Sequence, residues 1–376
     1  MAHPTGLRRV VPAPRGDPAV VHRPLVINGR FLAQPLTGVQ RYAREIVGAM
    51  DRLIADGRPW GPVTLLLPPD ATALPGLVAI AQRTVGRHRG HRWEQVDLAR
   101  AAAGQRLLSL GNAGPLLHPR QVVALHDAGI YAVPESYARA YRLWYRFQFR
   151  WFARRAEQVI TVSAFSAGEL ARLAGVPRDR LAVVPNAAEH LERIAADRSI
   201  LAGLEPEGYV LAIGSAKQHK NLAAVGAALA MMPAPRPRLV VAGHANPRGL
   251  AGGRLPEGTL ALGAVTEGQL KALYENALCL AFPSTYEGFG IPPLEAMACG
   301  CPAVVARTSS LPEVCGGAAL YCDPHDPATL AAAIGRLVAE PGLRARMIAR
   351  GRARAGEFGW TAGAARLMDV IEALDR

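Results

Sequence analysis

The stretch from residue 283 to 300 carries the strongest chemical signal of this 376-residue sequence. Glu287 directly precedes the glycines Gly288 and Gly290 in the loop after a predicted strand. Glu295 follows them in the first turn of a predicted helix. A glycine loop that leads into a helix N-terminus presents unpaired N–H groups, and the helix dipole favours negative charge there. The stretch therefore predicts an anion site.

The two carboxylates limit what that anion can be. A carboxylate placed against a phosphate would repel it, so Glu287 and Glu295 are expected to accept hydrogen bonds from hydroxyl groups of a sugar or ribose attached to the phosphate. The alternative is an exposed glutamate followed by a capping glutamate on an ordinary helix.

His126 is a second candidate, because it follows a predicted strand at 122–125, and ligands gather at the carboxyl ends of strands in open sheets. Gly38 is a third, because it opens a predicted helix after Thr37. The alternatives are a structural histidine with satisfied hydrogen bonds and a plain helix cap.

The sequence resembles the retaining glycosyltransferases of the GT-B fold, family four, from residue 25 to 374. Several motifs occur in the order typical of that family. They are Thr37-Gly38-Val39-Gln40-Arg41-Tyr42-Ala43, Leu125-His126-Asp127, Val159-Ile160-Thr161-Val162-Ser163, Val184-Pro185-Asn186, Gly214 through Lys220-Asn221, and the block from Glu287 to Glu295.

The resemblance implies roles for these residues. Glu295 would hold the ribose of a nucleotide, Glu287 the hydroxyls of the donor sugar, and Lys220 the diphosphate. Lys220 would stabilise a nucleoside diphosphate leaving group as it develops charge, unless it is only a solvated lysine at a helix start. His126 would orient the sugar and support an oxocarbenium-like state. The donor-binding set implied by the family is Gly38, Ser215, His219, Lys220, Val265, Glu287, Gly288, Phe289, Gly290, Ile291 and Glu295.

Two positions depart from the family pattern at the diphosphate. Many members have an arginine after the glycine that ends the strand at 209–214, where this sequence has Ser215. His219 stands where another basic residue often precedes the lysine. One phosphate cation is therefore missing, or His219 or Arg41 supplies it.

The elements that position these residues follow from hydrophobic periodicity. Short β-branched runs alternate with amphipathic segments, which is typical of parallel sheets covered by helices on both faces. Predicted strands occupy residues 25–28, 63–67, 107–110, 122–126, 159–163, 181–185, 209–214, 239–243, 260–265, 277–282, 303–306 and 318–322. This predicts an α/β protein with two parallel-sheet units. The resemblance implies the GT-B arrangement, in which two Rossmann-like parallel-sheet domains face a central cleft.

The domain boundaries follow from where the pattern lapses. Residues 1–23 are rich in Pro and Arg and predict a disordered tail. Residues 24–190 predict a first domain, 191–206 a linker and 207–359 a second domain. The resemblance implies that the first is the acceptor-side domain and the second the nucleotide-sugar domain. By the resemblance, the helical pattern at 360–376 returns to the first domain.

Charge and composition narrow the partners. Of the net charge of +13, residues 1–190 carry +12. Eight of the 22 aromatic side chains lie in residues 137–152, and Arg139, Arg142, Arg146, Arg150 and Arg154 share one predicted helix face. An anionic membrane surface would fit this segment, and so would an ordinary helix with aromatics in the core and arginines in water.

Other classes of protein fit less well. No apolar stretch approaches the ~20 residues that span a bilayer, and the five cysteines lack metal-site spacing. We expect a cytoplasmic protein, peripheral on the inner face of the cell membrane if the basic segment binds lipid. A nucleic-acid-binding module would leave the block at 287–295 without a purpose.

The predicted reaction is transfer of a hexose, with mannose favoured, from a nucleotide diphosphate sugar such as GDP-mannose to a glycan or polyprenyl-diphosphate-linked acceptor in surface polysaccharide synthesis. The anomeric configuration is retained, and no metal or other cofactor is expected because no suitably placed D-x-D pair occurs. The alternative is a catalytically silent protein of the same fold that binds a sugar nucleotide or acts as a scaffold.

Overall fold

The computed structural model describes residues 23–214, 218–243 and 258–376. The predicted tail at 1–23 lies outside them, apart from its last residue. The strands are β1 (Leu25–Asn28), β2 (Val63–Leu67), β3 (Ala81–Thr84), β4 (Arg106–Ser109), β5 (Gln121–Ala124), β6 (Gln158–Thr161), β7 (Leu181–Val183), β8 (Tyr209–Ile213), β9 (Arg238–Ala242), β10 (Leu260–Gly263), β11 (Cys279–Phe282), β12 (Ala303–Ala306) and β13 (Ala319–Cys322).

The α-helices of the same residues cover both faces of the sheets or connect them. They are α1 (Gly38–Ala55), α2 (Gly90–Arg92), α3 (Ala99–Ala101), α4 (Gly129–Ala132), α5 (Arg139–Arg155), α6 (Ala164–Glu169), α7 (Leu222–Ala230), α8 (Glu267–Asn276), α9 (Ile291–Ala298), α10 (Leu311–Cys315), α11 (Pro327–Ala339), α12 (Pro341–Ala355) and α13 (Trp360–Ala373). None of these described helices is long and apolar enough to cross a membrane.

The strands form two separate parallel sheets. The first has the order β3-β2-β1-β4-β5-β6-β7, and the second has the order β10-β9-β8-β11-β12-β13. Central strands such as β11 and β12 are buried along their whole length, because helices cover both faces of a parallel sheet. The predicted α/β class with two parallel sheets is confirmed.

One strand was missed by the periodicity. β3 has the sequence Ala-Gln-Arg-Thr, lies at the edge of the first sheet and is largely exposed. An edge strand with one neighbour needs no apolar run, so its sequence reads as loop.

Two chain segments connect the halves. Between β7 and β8 the chain forms two short 3₁₀ helices, Glu189–Arg193 and Arg198–Leu201, and we call residues 187–206 the connector. At the other crossing, α13 returns to the first sheet, where the Arg106 guanidinium donates to Asp375 at 2.7 Å and to the Leu374 carbonyl at 3.1 Å.

Candidate active site

A cavity of about 450 Å³ lies between the two sheets, at the carboxyl ends of their strands. The fold brings most of the predicted site residues to its wall. Those that line it are Gly38, His126, Lys220, Val265, Glu287, Gly288, Phe289, Gly290, Ile291 and Glu295.

The glycine loop is fixed by its own backbone and by one serine. Gly290 precedes α9 with φ at 97°, a left-handed conformation that favours glycine. The Ser310 hydroxyl contacts the carbonyls of Glu287 and Phe289, each at 2.9 Å. Contacts within the second half of the chain therefore hold the loop at the start of α9.

Lys220 and Glu287 form an ion pair inside the cavity. The Lys220 Nζ lies 2.7 Å from a carboxylate oxygen of Glu287, and both side chains are largely buried. Asn221, which follows in a left-handed conformation, donates to the carbonyls of Pro283 and Pro324 and so ties the start of α7 to the glycine loop. The cation and the carboxylate are thus held side by side in the cavity wall.

Glu295 lies one turn into α9 and is held by two donors. Its Oε1 is 3.2 Å from His190 Nε2, and its Oε2 accepts from the Tyr274 hydroxyl at 3.1 Å. Burial, with the Glu295 charge, raises the pKa of Tyr274 well above its usual value, so this phenol stays a donor. The carboxylate keeps lone pairs that face the cavity.

His126 is buried at the first-sheet side of the cavity. Its Nε2 lies 2.9 Å from the Leu110 carbonyl. A carbonyl only accepts, so Nε2 carries the proton and Nδ1 is the ring nitrogen left for a ligand. Burial lowers the pKa of His126, so the ring is neutral at neutral pH.

The start of α1 approaches the glycine loop closely. A Cβ on Gly38 would lie 3.1 Å from the Ile291 side chain, so a larger residue would crowd the cavity. Thr37 occupies the N-cap position without a side-chain capping bond; it contacts Gln40 instead. Arg41 lines the cavity and pairs with Glu267, and burial lowers its pKa.

Two predicted donor residues are not among the described residues that line the cavity. His219 is buried beside the cavity rather than in its lining, with Nδ1 3.0 Å from the Ser136 hydroxyl. Ser215 lies outside the described residues. Of the two substitutes considered for the missing cation, only Arg41 is part of the cavity wall.

The lining residues that the sequence reasoning missed include Asp127, Asn186 and His190. Asp127 and Asn186 belong to the motifs at 125–127 and 184–186, but no role for their side chains followed from the sequence. His190 lies in the connector, where no pattern pointed to it.

The two sheets touch across the cavity. The hydroxyls of Ser163 and Ser166 donate to the Gly288 carbonyl at 2.6 and 2.9 Å, and the Ala128 N–H donates to the Tyr286 hydroxyl at 3.2 Å. A ligand bound here would be enclosed by groups from both halves of the chain, which excludes water from its reacting centre.

Two family descriptions match this chain. "Glycosyltransferase Family 4" matches residues 36–190 and "Glycosyl transferases group 1" matches residues 194–354. The O-antigen chain mannosyltransferase B of Escherichia coli is 33% identical over 64% of this chain and 67% of its own length. The O-antigen chain mannosyltransferase RfbU of Salmonella typhimurium is 28% identical over 58% of this chain and 61% of its own length.

Solved structures share the fold at low sequence identity. Sucrose-phosphate synthase from Thermosynechococcus elongatus superposes with a TM-score of 0.71 at 18% identity, covering 94% of this chain and 99% of its own. The lipopolysaccharide glycosyltransferase WaaG gives 0.65 at 16% identity, covering 93% and 99%. Both alignments run through both sheets, so the two-domain GT-B architecture is confirmed.

Proposed function

Since the chain belongs to the family-four glycosyltransferases and is a hexosyltransferase, we propose that it transfers mannose from GDP-mannose to a growing surface glycan with retention of configuration. The family and the enzyme class agree with the sequence motifs. They favour an enzyme over a catalytically silent protein of the same fold. The O-antigen mannosyltransferases among its relatives support mannose as the sugar.

One observation supports this proposal above the others: a single cavity joins Lys220, Glu287, Glu295 and the glycine loop. Glu295 binds the ribose, the loop amides and Lys220 bind the diphosphate, and Glu287 binds the sugar hydroxyls. When the donor enters, the diphosphate replaces Glu287 as the partner of Lys220. The carboxylate is then free to accept from the sugar.

The leaving group needs its charge stabilised as the glycosidic bond breaks. Lys220 and the amides of residues 288–291 supply positive potential where that charge develops, and Arg41 is placed to add to it. We therefore propose catalysis without a metal ion. Unchanged activity in excess chelator would support this, whereas loss restored by Mn²⁺ would contradict it.

His126 acts on the sugar side of the bond. Its neutral ring presents Nδ1 as an acceptor, because Nε2 is committed to the Leu110 carbonyl. It orients a donor-sugar hydroxyl and places electron density beside the oxocarbenium-like carbon, and it makes no covalent bond.

The direct test is a transfer assay with purified protein. GDP-mannose, UDP-glucose and a dTDP-sugar are each offered with lipid-linked oligosaccharide, and the product linkage is read by NMR. An α-linked mannose from GDP-mannose is the expected product. Transfer from another nucleotide sugar but not from GDP-mannose would show that the proposed donor is wrong. A β-linked mannose would show that the configuration is not retained.

We also propose that the acceptor is presented at an anionic membrane, on the inner face of the cell membrane. Helix α5 supports this with an uncovered face, on which Leu143 is 66% and Phe147 49% exposed. Leu117, which is 83% exposed, follows Leu116, whose carbonyl accepts from Trp151 on α5. The exposed arginines around that face are Arg139, Arg150, Arg154 and Arg155. Aromatic and aliphatic side chains ringed by arginines suit a lipid headgroup region.

The helix differs from the stripe predicted from sequence. Arg142 and Arg146 point inward to backbone carbonyls, and Tyr145, Phe149 and Phe152 are buried. Vesicle co-sedimentation at low salt tests the exposed face. We expect Phe147→Ser with Arg150→Gln to weaken binding to anionic vesicles, and Arg346→Gln with Arg350→Gln on α12 to leave it unchanged. An equal loss of vesicle binding in the two double variants would contradict the proposal that this face of α5 binds the membrane. Equal binding to anionic and neutral vesicles would contradict it as well.

A further inference from the structure

His190 contacts the cavity from an unexpected place. It belongs to the short 3₁₀ helix of the connector, not to either sheet, yet its Nε2 lies 3.2 Å from Glu295 Oε1. It is 2% exposed. A carboxylate only accepts, so this contact is a donated hydrogen bond from the imidazole.

The neighbours of His190 leave it little freedom. Lys271 on α8 donates from Nζ to the connector carbonyls of Leu191 and Ile194 at 3.0 and 2.9 Å. Glu189 accepts from the backbone N–H of Trp360 at the start of α13, and the Trp360 ring lies 6.2 Å from the His190 ring. The connector on either side of His190 is thus tied to α8 and to the first turn of α13.

The contact restricts how Glu295 can present its oxygens. An ionised carboxylate has about four lone-pair sites, and His190 and Tyr274 each take one, on different oxygens. One site on each oxygen then remains, which matches the two adjacent hydroxyls of a ribose. Without the imidazole, Glu295 could rotate, and its buried charge would lose a donor.

We propose that His190 is the positioning residue that fixes the Glu295 carboxylate for the nucleotide ribose. This inference rests on the proposed function, because it takes Glu295 as the ribose ligand. Its consequence is that nucleotide affinity depends on the connector between the two sheets as well as on the second sheet.

The experiment compares variants of the full chain by calorimetric GDP binding and by steady-state kinetics with GDP-mannose. His190→Leu keeps volume and removes the donor, and His190→Gln restores a side-chain N–H. The matched control is His118→Gln, since His118 is also buried but bonds the Gln105 carbonyl on the first-sheet side.

For His190→Leu we expect GDP affinity about tenfold lower and KM raised to match, with kcat within about threefold of wild type. His190→Gln should return affinity to within about threefold, and His118→Gln should bind GDP normally. If His190 were purely structural, His190→Leu would lower the unfolding midpoint, as a substitution of the buried His118 can, but it would not raise KM while leaving kcat unchanged.

The outcomes separate this inference from the function it rests on. Wild-type GDP affinity in folded His190→Leu, or no rescue by His190→Gln, overturns the positioning role alone. If Glu295→Ala also binds GDP normally, the ribose role of Glu295 fails. If His190→Leu does not fold, His190→Asn, which is too short to reach Glu295, replaces it, with the same loss expected and wild-type affinity again overturning the proposal.

Discussion

The two walls of the cavity are built differently. The second-sheet wall is built mainly from one continuous run, Glu287 to Glu295, that follows β11 and enters α9, with Lys220 and residues 265–270 beside it. The first-sheet wall is assembled from short pieces at Gly38, His126 and Asn186, which lie far apart in the chain. A wall made of consecutive residues can be recognised in the sequence from the spacing of those residues. A wall made of distant residues is recognised only when the fold shows that they meet.

The difference extends to the kind of group that each wall supplies. The second-sheet wall provides two carboxylates, Lys220 and the glycine loop. The first-sheet wall provides a neutral imidazole and a cation, Arg41, that is already paired with Glu267. The donor should therefore depend mainly on the second wall for binding and on the first for positioning of the sugar.

Lys220→Ala should show the largest effect on the second wall. It removes the cation at the leaving group and leaves the Glu287 charge buried without its partner. We expect kcat/KM for the donor sugar to fall by about 10³-fold. Lys220→Arg, which keeps the charge, should recover most of the loss, and a fall of less than about tenfold in the alanine variant would deny Lys220 this role.

Gly288→Ala tests how closely the walls must meet. A Cβ at this position would lie 2.6 Å from the Asp127 Cβ and 3.1 Å from the His126 carbonyl oxygen, so the walls would have to separate. We expect about 10²-fold lower kcat/KM, since small misplacements of reacting groups cost this much. Gly317→Ala is the matched control, because no atom lies within 4 Å of its added Cβ. Wild-type turnover in Gly288→Ala would mean that the walls stay apart during the reaction.

Much of the fold and of the second wall could be predicted from sequence. Twelve of the thirteen described strands follow from β-branched runs, and β3 was missed because a polar edge strand lacks that signal. His190 could not be predicted, because its role arises from a contact between residues 105 positions apart. The orientation of α5 was also undetermined, since its arginines and aromatics fit either face until the packing of Tyr145 and Phe149 was known.

The two glutamates should divide binding from turnover. Glu295→Ala should weaken GDP binding by about tenfold or more, because its proposed partners are ribose hydroxyls. Glu287→Ala should leave GDP affinity nearly unchanged and lower kcat, because its proposed partners are on the sugar. Calorimetry with GDP and kinetics with GDP-mannose measure the two quantities, and equal losses of GDP affinity in both variants would contradict the division.

The smallest expected effect concerns His126 and acid stability. Burial lowers its pKa in the folded protein, whereas in the unfolded chain it titrates near its ordinary value of about 6.5. Below that pH the unfolded state binds a proton that the folded state excludes, so stability falls as pH falls. The loss between pH 7.5 and 5.5 should be at most about 1.4 kcal/mol, the limit for a folded state that excludes the proton over that whole range. His126→Asn removes the titrating group and should show a correspondingly flatter pH dependence in urea unfolding.

The His118 pKa is lowered by burial in both proteins, so its contribution cancels in the comparison. Identical pH slopes would mean that the imidazole gains its proton freely in the folded state, and the first wall would then present a cation to the sugar rather than a neutral acceptor.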